Sequence, residues 1–439
     1  MKRSHCALPL TFEHADGLIR RGVVRSAGRE VVELEGPALS PGDVAGLGAG
    51  CASYRMAAQV TRVSGDGATC VPLTDIDGLR AGDQFQCAGA RLGAYAGTAL
   101  LGGELDAWGR NAHGVPIPGA TVVTAQPQPV PAGIRAPVRS AMRSGIAAID
   151  TFVPIGYGQR VSVASGGGVG KTTLLRELLE RADVDARVVA LVGERGREVE
   201  ETSRRLRSSP CWRSTSLFCT PAEARPLERF AAARSATAQA EWLCRTGRRV
   251  LLVVDSITRV AQAWREHALA AGEAPAARGH PPSLVRALAT LLERAGARVH
   301  GSLTAVYAVL VEGDDPNEPV ADALRAMLDG HIVLSRALAD AGRRPAIDVL
   351  RSLSRAMPDI VDADHASDAS IVRRALATLE EAADLIAVGA YRAGNDAWLD
   401  ACIGARDEID ALIFDGGACS PEPRLRLSLI AHRLRKAAA

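Results

Sequence analysis

The chain has 439 residues, of which 47% are hydrophobic and 23% are charged. These values are typical of a globular protein and exclude a largely disordered chain, and the length suggests about three domains. The 52 basic and 50 acidic residues nearly cancel, and the net charge of +2 does not indicate a nucleic acid or an anionic membrane as partner. Aromatic residues make up only 4%, which argues against binding of nucleic acids mainly by base stacking.

The nine cysteines are scattered and form no C-x-x-C pair, so neither a zinc site nor a disulfide framework is indicated. We expect buried free thiols in a reducing compartment. The N-terminus is a poor signal peptide because Glu13, His14 and Asp16 interrupt its apolar run. No run of about 18 apolar residues occurs, so no membrane span is predicted.

Short β-strands are predicted over residues 20–95. Residues 22–36 contain two β-branched runs on either side of a turn at Ser26–Gly28. Residues 58–73 contain two runs around Asp66–Gly67, which is typical of a hairpin. Because no helical period separates these runs, the region is predicted to form a small barrel or sandwich.

The next region begins with six prolines within residues 115–137, which predict an extended connector along a surface. Strands and helices then alternate, which is typical of an α/β domain with a parallel sheet. The apolar runs that predict its buried strands are 161–164, 188–192, 250–254 and 303–311.

Strand signals stop at about residue 365. Apolar residues recur at helical spacing in three later stretches, residues 376–386, 399–413 and 425–434. They predict a helical C-terminal domain.

The strongest chemical signal is the segment SGGGVGKTT, Ser165–Thr173, between a predicted strand and a predicted helix. This is the context of the phosphate-binding loop G-x-x-x-x-G-K-[ST], in which backbone N–H groups at a helix N-terminus surround phosphate oxygens. Ser165 replaces the first glycine of the motif, and a small residue still permits the turn. Only three of the 52 basic residues are lysines, and Lys171 is the only lysine between residues 3 and 435. This position therefore favours a compact ammonium group.

Each residue of this loop has an expected role. Lys171 is predicted to contact the β- and γ-phosphates, and the Thr172 hydroxyl is predicted to ligate Mg²⁺. The alternative is a glycine-rich turn without a ligand. The other loop residues predicted to bind the nucleotide are Gly166, Gly167, Gly168, Val169, Gly170 and Thr173.

Two acidic residues follow predicted strands, where α/β sheets bind ligands. Asp255 ends the run VLLVVD and is predicted to join the Mg²⁺ shell through water. Glu194 follows the run 188–192, where a carboxylate can orient the attacking water. The residues alone leave alternatives open: an ordinary strand end for Asp255, and a solvated charge run that begins at Glu194.

Seven segments occur in the order typical of one family: SGGGVGKTTL, LVGERGREVEE, VLLVVDSITRVAQAWRE, GEAPAARGHPPSLV, VLVEGDDPNEPVAD, DGHIVLSR and PAIDVLRSLSR. With them the chain resembles the ATPases of type III secretion systems. That family includes the flagellar export ATPase and is similar to the catalytic subunit of rotary ATP synthases. The resemblance covers about residues 90–415.

The resemblance implies an α/β fold with three domains. They would be an N-terminal segment and β-barrel over residues 1–95, a RecA-like parallel-sheet P-loop ATPase domain over 96–365, and a C-terminal helical domain over 366–439. The connector at 115–137 would belong to the second domain. The working form would be a homohexamer with nucleotide sites between subunits.

The resemblance also implies roles for single residues. Glu194 matches the catalytic glutamate of the family segment GER, and Arg195 beside it is expected to contact the nucleotide. Arg355 matches the arginine finger that a neighbouring subunit donates to stabilise charge on the transferring phosphoryl group.

Two residues depart from the family pattern. Arg344 replaces the aromatic residue that usually precedes PAID and stacks on adenine. A guanidinium plane can also stack on a base, and the alternative is a surface arginine without contact. His280 stands where the family tends to have tyrosine, in a loop expected to face the hexamer pore and the central stalk. It would make that contact sensitive to pH, although an ordinary exposed histidine is the simpler interpretation.

The predicted function is that of a hexameric motor that hydrolyses Mg-ATP and energises protein export through a type III secretion apparatus, with release and unfolding of secreted substrates from chaperones. The alternatives are a flagellar export ATPase and a non-catalytic nucleotide-binding subunit, although such a subunit would lack Glu194. An RNA translocase is disfavoured because residues 20–95 contain only Tyr54, Phe85 and Tyr95 as aromatic residues.

The expected partners are further copies of the chain, a central stalk protein, a peripheral stator and chaperone–substrate complexes, with no nucleic acid. The expected location is the cytoplasmic face of the bacterial inner membrane, reached through partners or through a docking segment in residues 1–20. The apolar candidates in that segment are Leu8, Leu10 and Phe12.

Overall fold

The computed structural model describes residues 10–11, 18–48, 56–124, 130–276, 279–311, 319–414 and 422–438. The chain forms two compact units. The first contains Met1–Pro131, Ala186–Gly247 and Val254–Arg294, and the second contains Ala132–Asp185, Arg248–Val253 and Ala295–Ala439. The domain boundaries after residues 95 and 365 stay a prediction.

The strands of the first half of the chain are β1 (Leu10–Thr11), β2 (Arg20–Ala27), β3 (Val32–Glu35), β4 (Asp43–Leu47), β5 (Met56–Ser64), β6 (Gly67–Pro72), β7 (Gln84–Ala96), β8 (Gly103–Leu105), β9 (Thr121–Thr124), β10 (Ala141–Met142), β11 (Ile155–Gly156), β12 (Arg160–Ser165), β13 (Ala186–Val192) and β14 (Thr215–Thr220). The later strands are β15 (Arg249–Asp255), β16 (Gly296–Ala297), β17 (Ser302–Leu310), β18 (Gly330–Leu334) and β19 (Ile347–Ser354).

The α-helices are α1 (Ala147–Phe152), α2 (Lys171–Arg181), α3 (Gly196–Arg207), α4 (Pro226–Arg245), α5 (Ile257–Ala270), α6 (Ser283–Leu292), α7 (Pro319–Met327), α8 (Arg336–Asp340), α9 (Met357–Ile360), α10 (Ala363–Glu381), α11 (Ala383–Ala387), α12 (Ala397–Phe414) and α13 (Pro423–Ala438). Short 3₁₀ turns occupy Thr98–Leu100, Ala132–Ile134 and Pro210–Ser214.

The N-terminal strands of the first unit close into the predicted β-barrel. The order β7-β2-β3-β6-β5-β4 returns to β7, which pairs antiparallel with both β2 and β4. Closure leaves no open edge in this ring, and β1 and β9 add to β7 outside it. Apolar residues fill the interior, among them the fully buried Val32, Phe85 and Cys87.

Two features of the N-terminal region bear on the sequence predictions. The hairpin at Asp66–Gly67 is confirmed, since β5 and β6 pair from Ser64 and Gly67 onward. The turn predicted at Ser26–Gly28 lies later, because pairing of β2 with β3 continues through Ala27 and the turn spans Gly28–Val31. The Ser26 hydroxyl donates to Glu33 across the strands, so this small polar residue extends the ladder.

The rest of the first unit contains parallel strands covered by helices. β13 pairs with β14, and β14 pairs with β8, all in parallel. Gln239 on α4 is fully buried and exchanges two hydrogen bonds with the backbone of Gly97, at 2.8 and 2.9 Å. Because β7 ends at Ala96, this side chain fastens α4 to the end of the last barrel strand.

In the second unit, β12 pairs in parallel with β17 and β18, and β18 pairs antiparallel with β19. The runs predicted as strands correspond to β12, β13, β15 and β17, with Val311 one residue beyond the end of β17, so those strands are confirmed. β8, β14, β18 and β19 were not recognised from the sequence. β19 alternates the buried Ile347 and Val349 with the half-buried Asp348 and Leu350, a weaker signal than a continuous apolar run.

The end of the second unit is helical, as predicted: no strand follows residue 365 in the part that the structure describes. α10, α12 and α13 pack against one another and against α1. The stretch 376–386 is not one helix, because α10 ends at Glu381 and Leu385 lies in α11. The buried Ala382 is the cap of both helices, and the chain turns there.

Other predictions concern the ends and connectors. Residues 121–124 of the proline-rich connector pair with β7, while residues 125–129 lie outside the described residues, as do Leu8 and Phe12. Leu10 pairs with Leu92 through β1. Among the described residues six cysteines are free thiols, and five of them are buried. No helix of the described chain is long and apolar enough to cross a membrane.

A buried histidine lies in the first unit. The His267 ring is 8% exposed and packs 5.5 Å from the Trp264 ring, which in turn packs 4.6 Å from Phe230. Burial, together with the nearby charge of Arg234, lowers the pKa of His267 to about 4. The folded protein therefore keeps this ring neutral at pH values where the unfolded chain protonates it.

This difference predicts acid sensitivity. The pKa of His267 is lower in the folded protein than in the unfolded chain, so its contribution to the free energy of unfolding is fully present above about pH 6.5. This contribution falls as the pH decreases towards 4, by about 2 kcal/mol between pH 7.5 and pH 5. His267→Gln should remove that part of the decline, as measured by denaturant unfolding at both pH values. His432→Gln, at an exposed histidine on α13, should leave the decline unchanged; an equal effect of both variants would contradict the prediction.

Candidate nucleotide-binding site

The predicted phosphate loop joins β12 to α2 in the second unit. Gly168 and Gly170 have φ angles of +78° and +101°, which residues with a Cβ rarely adopt. A Cβ added at Gly167, Gly168 or Gly170 would meet no atom within 4 Å. The backbone of the loop therefore borders open space, into which its N–H groups can receive phosphate oxygens.

The helix that follows completes this cradle. α2 has eleven residues, and Gly170 before it has no side chain to bond the first backbone N–H groups. Its first turn carries no acidic residue, so nothing there opposes the positive end of the helix dipole. Thr172 is exposed, and Lys171 and Thr173 are half-buried. The backbone and these polar side chains fit the phosphate groups of a nucleotide.

Glu194 lies in the first unit, directly after β13. It is half-buried, and its carbonyl oxygen accepts a hydrogen bond from the Ala222 N–H at 3.0 Å. Gly193 before it has a φ of +71°, and a Cβ there would lie 2.9 Å from the Arg259 Cβ. This close approach requires glycine and fixes the turn that presents Glu194. Arg195 is exposed and precedes α3.

Asp255 is also in the first unit, at the carboxyl end of β15. It is 7% exposed, and a cis peptide bond joins it to Ser256. The Ser256 hydroxyl accepts a hydrogen bond from the Arg259 N–H and caps α5. The strand thus ends in a carboxylate immediately before a helix start. The Asp255 carboxylate and the Thr172 hydroxyl are both hard oxygen donors of the kind that Mg²⁺ prefers.

Arg355 lies in the second unit just after β19, and its side chain is exposed. Its N–H donates to the Asp329 carbonyl at 2.9 Å, and its Nη2 donates to the Arg325 carbonyl at 3.3 Å. Gly330 pairs with both Val161 and Ser354, so Arg355 lies level with the beginning of β12. The phosphate loop follows the other end of that strand, and the unit does not bring the two together.

The two departures from the family pattern are both in loops. Arg344 is exposed and joined to Pro345 by a cis peptide bond; stacking on adenine stays a prediction. His280 is half-buried, not exposed as expected, because the loop folds back: its carbonyl accepts from Ala276 at 2.9 Å. Glu273 bonds both the N–H and the hydroxyl of Ser283 and closes the base of this loop.

Comparison with known proteins identifies the family. The model of the family described as "ATP synthase alpha/beta family, nucleotide-binding domain" matches residues 145–354. The model described as "T3SS EscN ATPase C-terminal domain" matches residues 361–416. The SPI-2 type 3 secretion system ATPase of Salmonella typhimurium (strain LT2) is 39% identical over 417 residues, 94% of this chain and 95% of that protein. The flagellum-specific ATP synthase of Treponema pallidum (strain Nichols) is also 39% identical, over 94% of this chain and 92% of that protein. The chain belongs to the family of type III secretion and flagellar export ATPases.

Solved structures agree with this assignment. The assembled ATPase EscN of the enteropathogenic E. coli type III secretion system matches with a TM-score of 0.86 and 33% identity, over 95% of this chain and 100% of that one. EscN in complex with its central stalk EscO matches with a TM-score of 0.83 and 32% identity, over the same shares. The predicted fold, an N-terminal barrel, a parallel-sheet nucleotide-binding domain and C-terminal helices, is thereby confirmed, and the protein is an ATP hydrolase.

One contact of this export ATPase was not foreseen from the sequence. Arg336, the first residue of α8, donates from Nη2 to the Gly167 carbonyl at 3.2 Å. It therefore tethers the middle of the phosphate loop from the connection between β18 and β19. Arginine is abundant in this chain, and residues 167 and 336 are far apart in sequence, so no local pattern marks Arg336.

This tether predicts an effect on nucleotide binding. Arg336→Met should loosen the loop and weaken ATP binding about threefold to tenfold, because a lost hydrogen bond to a charged donor is worth about 1 kcal/mol or more. Fluorescent-nucleotide titration measures the change. Arg433→Met, which removes an exposed ion pair with Glu408 between α12 and α13, is the matched control. Unchanged affinity in Arg336→Met would show that the loop holds its shape alone.

Proposed function

We propose that this ATPase works as a homohexamer that energises protein export, and that Arg355 of one subunit completes the nucleotide site of its neighbour. The position of Arg355 carries the proposal. Ser354, the residue before it, lies level with Val161 on β12, four residues before Ser165. At about 3.3 Å per residue, some 13 Å of strand separate it from the phosphate loop of its own subunit. An arginine exposed at that distance is available to another subunit rather than to its own nucleotide.

In the proposed mechanism, backbone N–H groups of residues 166–170 and the Lys171 ammonium bind the β- and γ-phosphates of ATP. Thr172 and, through water, Asp255 would hold Mg²⁺. When bound, that ion neutralises phosphate charge. The Glu194 carboxylate orients the attacking water and accepts its proton. Arg355 of the neighbouring subunit stabilises the charge that develops on the transferring phosphoryl group.

The remaining contacts concern the base and the phosphates. We infer that Arg195, exposed at the start of α3, contacts the nucleotide. Arg344 would lay its guanidinium plane on adenine in place of an aromatic ring. Its exposure leaves the planar group accessible to a base.

The proposed partners follow from the relatives. EscN is assembled and binds a central stalk, EscO. We infer a corresponding ring around a central stalk, with the loop that contains His280 facing the pore. A peripheral stator and chaperone–substrate complexes would be further partners, at the cytoplasmic face of the inner membrane. Release and unfolding of the substrates would consume the energy of hydrolysis.

Flagellar export is the second candidate. The flagellar relative of Treponema and the secretion relative of Salmonella are both 39% identical to this chain. The proposed chemistry is the same in both systems, and they differ only in the apparatus that recruits the ATPase.

A shared site predicts rescue between inactive subunits. Lys171→Ala and Arg355→Ala homohexamers should each lose at least about a thousandfold in hydrolysis rate. In a randomly mixed ring about one quarter of the interfaces combine an intact phosphate loop with an intact finger. Phosphate release by a 1:1 mixture should therefore return to as much as a quarter of the wild-type rate.

Mass measurement of the mixed rings is the control, because it confirms that both subunits are present in one assembly. Mixed rings without recovered activity would overturn the shared site. Wild-type specific activity that rises with protein concentration would support assembly as the step that completes it.

The role of Glu194 makes a separate prediction. Glu194→Gln keeps the size and one hydrogen-bonding oxygen but removes the charge that polarises water. The variant should bind ATP with unchanged affinity and lower kcat by about 10²- to 10⁴-fold. Glu200→Gln, at an exposed glutamate on α3, should retain wild-type kcat. Equal activity of Glu194→Gln and wild type would show that another group orients the water.

A further inference from the structure

Arg373, on α10 of the C-terminal helices, contacts the strand that leads to Arg355. Its Nη1 donates to the Val349 carbonyl at 2.6 Å, and its Nη2 donates to the Phe152 carbonyl at 2.8 Å. Both nitrogens also donate to the Ser352 carbonyl, at 3.3 and 3.2 Å. One guanidinium therefore joins three backbone carbonyls, two of them on β19 and one at the end of α1.

This arrangement has an electrostatic cost. Desolvation lowers the pKa of Arg373, and the charge of Asp348 offsets only part of that effect. Its hydrogen-bond partners are carbonyls, which satisfy the donors without neutralising the charge. An aliphatic side chain would pack there without this cost. The position therefore favours arginine for its geometry, because several donors in one plane can bond three carbonyls at once.

The contact lies close to the proposed finger. Ser352 is three residues before Arg355, and both terminal nitrogens of Arg373 donate to its carbonyl. The Ser354 hydroxyl donates to the Pro154 carbonyl at 2.7 Å and accepts from the Gln159 side chain at 3.0 Å. Besides its pairing with β18, the segment before the finger is thus supported at Ser352 and Ser354, and the contact with the Ser352 carbonyl comes from the C-terminal helices.

The side chain of Arg355 has less support of its own. It is exposed, and among the described residues it makes one hydrogen bond, from Nη2 to the Arg325 carbonyl at 3.3 Å. A transition-state group must be held to within about 0.5 Å, and a misplacement of about 1 Å costs up to 10²-fold in rate. The direction of this side chain therefore depends on its backbone.

We propose that Arg373 is a positioning residue for the finger: by fixing the Ser352 backbone it aims Arg355 at the nucleotide of the neighbouring subunit. The inference rests on the proposed role of Arg355. It makes the C-terminal helices of one subunit a determinant of hydrolysis in the next.

The first test compares two variants on the same helix. Arg373→Met keeps the aliphatic stem but removes the donors. The variant should lower kcat about tenfold or more, because the finger is misplaced. The KM for ATP should stay unchanged, because every subunit of the variant keeps an intact phosphate loop. Arg374→Met is the matched control, since Arg374 lies over the Trp398 ring at 4.6 Å and makes its contact within the C-terminal helices. Its kcat should stay within about twofold of wild type.

The second test assigns the direction of the effect with mixed rings. Lys171→Ala subunits donate the finger and Arg355→Ala subunits hold the nucleotide. Arg373→Met added to the finger-donating subunit should reduce the rescued activity about tenfold or more. Added to the nucleotide-holding subunit, it should leave the rescue unchanged. In homohexamers, Arg373→Met should cause no further loss once Arg355 is Ala.

Equal losses in both arrangements would overturn the proposal, because a general structural defect does not depend on which subunit carries it. A further loss in the Arg355→Ala background would also overturn it. Absence of rescue in rings without the Arg373 change would instead contradict the shared site itself. Should Arg373→Met fail to fold, Arg373→Lys takes its place; it keeps the charge but not the fork, and the same directional dependence is expected.

Discussion

The length of one strand, β12, determines how far the phosphate loop lies from Arg355. The phosphate loop follows its carboxyl end, whereas the turn that carries Arg355 is hydrogen-bonded at its beginning. Gln159, directly before β12, links the strand to that turn. It is fully buried, and its amide donates to both the Asp329 carbonyl and the Ser354 hydroxyl at 3.0 Å. Because a strand does not shorten, the loop and the arginine are held apart within the chain, as the proposed shared site requires.

The beginning of β12 is fixed by polar contacts that leave little freedom. Arg160, next to Gln159, donates to Asp329 from its backbone N–H, Nε and Nη2 at 3.0 to 3.1 Å. The Asp329 carbonyl in turn accepts from the Arg355 N–H. Gly330 permits this close packing, since a Cβ there would lie 2.7 Å from the Leu353 carbonyl. Neighbouring hydrogen bonds polarise one another in such networks, so the finger turn belongs to the rigid part of the sheet.

Much of this was predictable from sequence where the signal is local. The phosphate loop requires glycines at positive φ and a helix directly after them, and the nine consecutive residues Ser165–Thr173 indicate both. The strands β12, β13, β15 and β17 are continuous apolar runs. β18 and β19 mix polar and apolar residues, and Arg336 and Arg373 act on residues far away in sequence. In a chain with 52 basic residues of which three are lysines, composition marks Lys171 but hides every individual arginine.

That same composition clarifies what the two cations do. The long-range supports of the site use guanidinium groups: Arg160 on a carboxylate, Arg336 on a loop carbonyl, and Arg373 on three carbonyls. Each contact exploits a planar group with several donors, which defines a direction as well as a charge. The position predicted to meet phosphates at the start of α2 has a lysine, whose compact ammonium carries three donors that rotate freely. Arginine thus serves rigidity in this protein, and the catalytic role proposed for Arg355 relies on a backbone that Arg373 contacts.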